Sequence, residues 1–123
     1  MLSIPKGSLL RRPDGTLFAK GDSIQITTSI DTTRLVVRFE PTGLVFDNLF
    51  PAQLKIWYSG ANRDFDGNGV VDAADSYIEQ ALLGVRVQEY ASDPWTTVSA
   101  IKTLSSKLFT ANLRHFSGYA VSW

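Results

Sequence analysis

In Phe109-Thr-Ala-Asn-Leu-Arg-His-Phe-Ser-Gly-Tyr-Ala-Val-Ser-Trp123 the apolar residues return at every second position. Phe109, Ala111 and Leu113 alternate with Thr110, Asn112 and Arg114, and Tyr119, Val121 and Trp123 resume the pattern after a short break. Period two is the signature of a half-buried strand, because successive side chains point to opposite faces. The same alternation runs upstream through Ile24-Ile26-Thr28, Leu35-Val37-Phe39, Leu54-Ile56-Tyr58 and Val85-Val87-Glu89. Turn signals separate these runs at Pro13-Asp14-Gly15, Lys20-Gly21-Asp22, Pro41-Thr42-Gly43 and Ser92-Asp93-Pro94. Strands punctuated this often predict an all-β chain, an antiparallel β-sandwich forming one domain over residues 1–123. A single departure spans Asp75 to Leu83, where Tyr77, Ile78, Ala81 and Leu82 recur at helical spacing and predict one short α-helix. Gly84 is expected to stop it as a C′ glycine.

Composition narrows the function classes. Hydrophobic residues make up 44% and charged residues 20%, values of a globular chain rather than a disordered or fibrous one. Twelve basic residues balance twelve acidic ones, which argues against a nucleic-acid partner, since such binders carry a basic excess or stripe. There is no cysteine, so disulfides, thiolate metal sites and a cysteine nucleophile are all excluded. No apolar run approaches the roughly 18 residues of a membrane span, so membrane insertion is not expected. Met1 opens directly into Leu-Ser-Ile-Pro without a basic or apolar leader. No signal peptide is therefore expected within this stretch; the chain is read as an extracellular or cell-surface domain of a larger secreted protein whose signal peptide lies outside it.

Charge is unevenly placed along the chain. Residues 64–75 hold four aspartates and no base, and residues 101–114 hold lysine and arginine but no acid. Within the first stretch, Asp64-Phe-Asp-Gly-Asn-Gly-Val-Val-Asp-Ala-Ala-Asp75 sets side-chain oxygens at loop positions 1, 3, 5, 9 and 12: Asp64, Asp66, Asn68, Asp72 and Asp75. Val70 at position 7 would add its carbonyl, completing an oxygen set of the kind that a hard cation such as Ca2+ takes up. Gly69 occupies position 6, where the chain must turn sharply. Val71 at position 8 is expected to pin the loop to the core. The competing reading is a solvated acidic loop, but four uncompensated aspartates at this density repel one another.

The final Asp in place of Glu makes this loop resemble the dockerin type of EF-hand-like calcium loop, whose pattern is met at every position. Dockerins carry two such loops and bind cohesins. This chain has one, so a cohesin partner is not expected, and the lone loop is read as a brace for the sandwich.

Outside the loop the chain resembles the ZU-type domain of zonula occludens proteins, netrin receptors, ankyrins and PIDD, with its bacterial surface-protein relatives. The residues that carry the resemblance are Ile4-Pro5-Lys6-Gly7-Ser8-Leu9, Gly21-Asp22-Ser23-Ile24-Gln25-Ile26 and Pro41-Thr42-Gly43-Leu44-Val45-Phe46. Pro51-Ala52-Gln53-Leu54, Trp95 and His115-Phe116-Ser117-Gly118-Tyr119-Ala120-Val121 complete it. The family's opening glycine-rich strand is missing, and the calcium loop with its helix reads as an insertion over residues 62–84.

That resemblance implies a reaction at His115-Phe116-Ser117, because some domains of this kind cleave themselves between Phe and Ser of a His-Phe-Ser step. Ser117 would attack the Phe116 carbonyl in an N→O acyl shift, with His115, the only histidine, as general base. Gly118 would permit a strained backbone, and the cut would leave two fragments paired as neighbouring strands. The structural alternative has Phe116 filling the core, Ser117-Gly118 making a turn and His115 packing.

Lesser candidates have plainer readings. Asp93-Pro94 reads as a turn, Lys102, Lys107 and Arg114 as a solvated face, and Trp57, Trp95 and Trp123 as core or interface filling rather than a sugar platform. Two functions follow: a self-processing domain that acts once in cis, or a non-catalytic calcium-braced module. The latter would space other domains of the same protein or bind a protein partner.

Overall fold

The structure, a computed structural model, describes all 123 residues and is an all-β sandwich-like fold with one short helix. Its elements are β1 (Leu2–Ser3), β2 (Leu9–Arg11), β3 (Thr27–Asp31), β4 (Val36–Glu40), β5 (Val45–Phe46), β6 (Ala52–Trp57), α1 (Ala73–Tyr77), β7 (Gly84–Gln88), β8 (Thr96–Val98), β9 (Ile101–Thr103), β10 (Leu108–Leu113) and β11 (Gly118–Ser122). A four-stranded sheet runs β1-β6-β10-β9 and a five-stranded sheet runs β3-β4-β11-β7-β8. The small β2-β5 pair forms a third sheet, and every pairing is antiparallel.

The alternating residues meet between the sheets. Leu54, Phe109, Ala111 and Leu113 come from the four-stranded sheet, and Phe39, Val85, Tyr119 and Val121 come from the other. Phe116 lies at the centre, with its ring 5.0 Å from both Phe39 and Phe46 and none of its surface in water. Burying aromatic rings of this size is the main favourable term in folding such a chain.

The expected strands at residues 35–39, 54–58, 85–89, 109–114 and 119–123 correspond to β4, β6, β7, β10 and β11. The run at Ile24–Thr28 does not: residues 22–26 are irregular, and pairing begins only at Thr27. Ile24 and Ile26 still pack against the core, so their burial is real although no ladder forms.

The helical stretch also differs from its reading. α1 starts earlier, at Ala73, and passes into a π-helical turn over Ile78–Leu82. The wider turn rotates the register, so Ile78, Glu79 and Leu83 face inward while Tyr77 and Leu82 stay exposed. Gly84 is not a left-handed cap. Leu83 is already extended, at φ −63° and ψ 129°, and Gly84 opens β7.

Candidate metal loop and the His115–Ser117 corner

The loop Asp64–Asp75 is held by its own side chains. Gly67 and Gly69 take φ of +73° and +87°, conformations that a side chain would strain. The turned backbone aims its N–H groups inward. Asp64 accepts from Asn68 N–H at 3.1 Å and Gly69 N–H at 2.8 Å. Asp66 accepts from the Asn68 N–H and side-chain amide, each at 3.1 Å, and Asn68 accepts from Val70 N–H at 2.9 Å.

Asp75 is buried and has three main-chain donors: Phe65 at 2.7 Å, Asp66 at 3.2 Å and Asp72 at 2.9 Å. The Asp72 and Asp75 side chains form a reciprocal capping box on α1, and Asp72 Oδ1 accepts from Ala74 N–H at 2.9 Å.

The result is a group of carboxylates, those of Asp64, Asp66 and Asp75, with ligand atoms all within 4.8 Å of one another, close enough to hold a metal ion. The Asp72 carboxylate, spent on the helix cap, stands outside that group. No hydrogen bond is made to the Val70 carbonyl, which leaves it free to act as a ligand. The donor set is all oxygen, which fits a hard cation.

Electrostatics tell the same story. For Asp66 the Asn68 N–H pulls the carboxyl's pKa down, but lost solvation and the Asp64 and Asp75 charges outweigh it and raise it. Asp75 is held below the usual carboxylate range, first by Asp72 N–H and then by Asp66 and Phe65, against the opposing effect of burial.

Val71 does not pin the loop, since it is 60% exposed. Phe65 does so instead: it packs against the core, and its carbonyl accepts the Trp123 indole N–H at 3.1 Å. The downstream helix is tied in by Glu79, which pairs with Lys107 and accepts from the Tyr58 hydroxyl at 3.1 Å. Burial, then Glu79, pushes the Tyr58 hydroxyl's pKa up to about 12. Lys102 donates to the Glu79 and Gln80 carbonyls at 2.7 and 3.1 Å. Lys102 and Lys107 are therefore anchors for the helix end rather than a solvated face. Their periodicity gave no hint of this, because their partners lie more than twenty residues away.

At the corner, His115 Nδ1 lies 2.8 Å from Ser117 Oγ, and Ser117 is fully buried. Gly43 N–H donates to the Phe116 carbonyl at 3.1 Å, and the Tyr119 hydroxyl donates to the His115 carbonyl at 2.7 Å. The segment is otherwise regular: Phe116 N–H reaches Leu44 O at 2.8 Å and Phe39 N–H reaches Ser117 O at 3.2 Å. No residue from His115 to Gly118 has a positive φ.

Two expectations change here. Gly118 is needed for space rather than for an unusual backbone: a Cβ there would lie 2.6 Å from Arg38 Nη2, which donates to Gln88 Oε1 at 2.7 Å. Nor are the flanking strands neighbours. β10 pairs with β6 and β9, whereas β11 lies between β4 and β7, so the corner carries the chain from one sheet to the other. A cleft of about 630 Å³, lined by Gln53, Asn112, Arg114, His115 and Tyr119 among others, opens beside it.

Compared with known protein families, curated proteins and solved structures, the chain matches none of them.

Proposed function

We propose that this is a calcium-braced β-sandwich module of an extracellular or cell-surface protein, related to the ZU-type domains. One observation carries the reading: Asp64, Asp66 and Asp75 are gathered around a common point by hydrogen bonds that run along the loop itself. Asp64, Asp66, Asp75, Asn68 and the Val70 carbonyl would hold the ion, with Asp72 serving as ligand or as helix cap. Bound there, calcium would offset carboxylate repulsion and fasten α1 to the strand ends through Phe65 and Trp123. Its role is to stiffen a spacer or partner-binding unit, with other domains of the same protein or a protein partner as the neighbour. Thermal unfolding in calcium and in chelator tests this, because a ligand of the folded state alone must raise the midpoint. Identical midpoints would sink the reading.

A second reading, self-cleavage between Phe116 and Ser117, is favoured by the 2.8 Å His115–Ser117 contact and the Gly43 N–H on the Phe116 carbonyl. With its proton on Nε2, His115 would take the Ser117 hydroxyl proton as Oγ attacks the Phe116 carbonyl carbon. The Gly43 N–H would stabilise the oxyanion, and the amide C–N bond would break as His115 returns the proton to the Ser117 nitrogen. Water reaching the ester from the open cleft would then leave a Phe116 carboxylate and a new amino terminus at Ser117. Because β11 would stay wedged between β4 and β7, the cut would be visible only after denaturation. Denaturing mass spectrometry should find Ser117–Trp123 as a separate peptide in wild type and not in Ser117→Ala. An intact wild-type mass after long incubation excludes the reaction.

A further inference from the structure

The outer face of the five-stranded sheet carries a groove that neither reading uses. β11 is central and presents small residues outward there, among them Ala120 and Ser122. Its neighbours present larger ones, with Val36 and Arg86 flanking Ala120 in register. The difference in height leaves a groove of about 380 Å³, within the size range of small-molecule sites. Trp95 and Trp123 line it at 39% and 52% exposure, and Arg34 and Arg86 are its only charged side chains. Trp57, which the sequence offered as a companion to these two, lines a separate cavity.

The guanidiniums are weakly satisfied. Arg34 is 3.8 Å from Asp31, and Arg86 bonds only the Thr97 hydroxyl, at 2.5 Å. No acidic side chain lines the groove. Arg86 is therefore a planar donor fork without an anionic partner, the geometry that best meets a carboxylate. The Trp123 indole N–H is already given to Phe65, which leaves its ring as the contact surface. β4, β11, β7 and β8 are consecutive neighbours, so the groove floor has its main-chain groups in ladders and offers no edge for adding an extended peptide.

We propose that this groove binds an acidic saccharide, with a carboxylate-bearing ring lodged between the two indoles and its carboxylate on Arg86. The site is separate from the metal loop, apart from the hydrogen bond that holds Trp123, so binding is measured with calcium fixed.

The probe is a tetrasaccharide alternating glucuronate with N-acetylglucosamine, titrated into the intact chain by calorimetry. Controls are an uncharged N-acetylglucosamine tetramer and tetraglutamate. Saturable binding of the acidic sugar is expected, weakened at least ten-fold by Arg86→Gln and by Trp95→Ala, each with an unchanged melting midpoint. Arg86→Lys should recover only part of it, since the fork is lost. Absence of saturable binding overturns the proposal, and so does equal affinity for the neutral tetramer. Tighter binding of tetraglutamate would make the face an acidic-peptide surface and overturn the saccharide assignment. If Trp95→Ala does not fold, the Arg86→Gln result decides alone, and undiminished binding there overturns it.

Discussion

The Asp64–Asp75 loop and the His115–Ser117 corner are each built around a buried polar side chain, Asp75 in one and Ser117 in the other. The contacts of Asp75 are local: the longest, Phe65 N–H to Asp75, spans ten residues. At the corner the main-chain partners are Phe39, Gly43 and Leu44, from a distant part of the chain. The loop can thus be shaped by its own spacing, whereas the corner exists only after both sheets have closed. Loop substitutions should accordingly act on one site, and corner substitutions on the whole fold.

The largest effect should come from the corner. Phe116→Ala removes a ring packed against Phe39 and Phe46 at the centre of the sandwich and should cost about 3–5 kcal/mol in urea unfolding. The loss should be the same with calcium and with chelator. A loss confined to calcium would break the contrast between the two regions.

In the loop, charge and hydrogen bonding can be pulled apart. Asp75 accepts three main-chain N–H groups, so Asp75→Ala should lower the melting midpoint in both calcium and chelator, more so in calcium. Asp66 is exposed and faces two like charges. Asp66→Asn should therefore leave or slightly raise the midpoint in chelator while removing most of the calcium-induced rise. Parallel falls for both variants in chelator would mean that the carboxylates do not repel one another in the metal-free loop.

How much of this was legible follows from the same distinction. The loop's candidate ligands could be read from spacing because each carboxylate's role depends on neighbours a few residues away. The strand faces could be read because period two needs no partner. The crossing at His115–Ser117 could not, since alternation does not say which sheet a strand joins, and a hairpin and a crossover look alike in sequence. Lys102 and Lys107 were misjudged for the same reason: nothing near them indicates that they meet Glu79. Phe65 was overlooked because an aromatic beside two ligands reads as loop filler, yet it packs on the core beneath Trp123.

The Glu79–Lys107 pair joins the loop's helix to the four-stranded sheet and tests whether the two regions communicate. Lys107 keeps 31% of its side chain in water, so screening weakens the pair, and Lys107→Met should cost about 1–2 kcal/mol. Lys107 first, and the Tyr58 hydroxyl after it, hold the Glu79 carboxyl below its ordinary value of 4.5 against the effect of burial. A depressed pKa contributes stability that is complete above 4.5 and fades as pH falls through the lowered value. The stability difference between wild type and Lys107→Met should therefore shrink in acid. A gap that widens below pH 4 would assign the pair the wrong sign.

The smallest effect separates two explanations of one glycine. If Gly118 served an unusual backbone, Gly118→Ala would cost several kcal/mol, because the strain would have no outlet. The clash is instead with the far end of Arg38, a side chain that can swing away at the expense of its bond to Gln88. That loss is partly offset by the reduced freedom of alanine in the unfolded chain, so the net cost should be about 1 kcal/mol or less. The double variant with Arg38→Ala settles it. With the guanidinium gone, Gly118→Ala should be neutral or stabilising. A cost that persists in the Arg38→Ala background would return the strain to the backbone, and with it the ground-state destabilisation that an acyl shift at Ser117 could exploit.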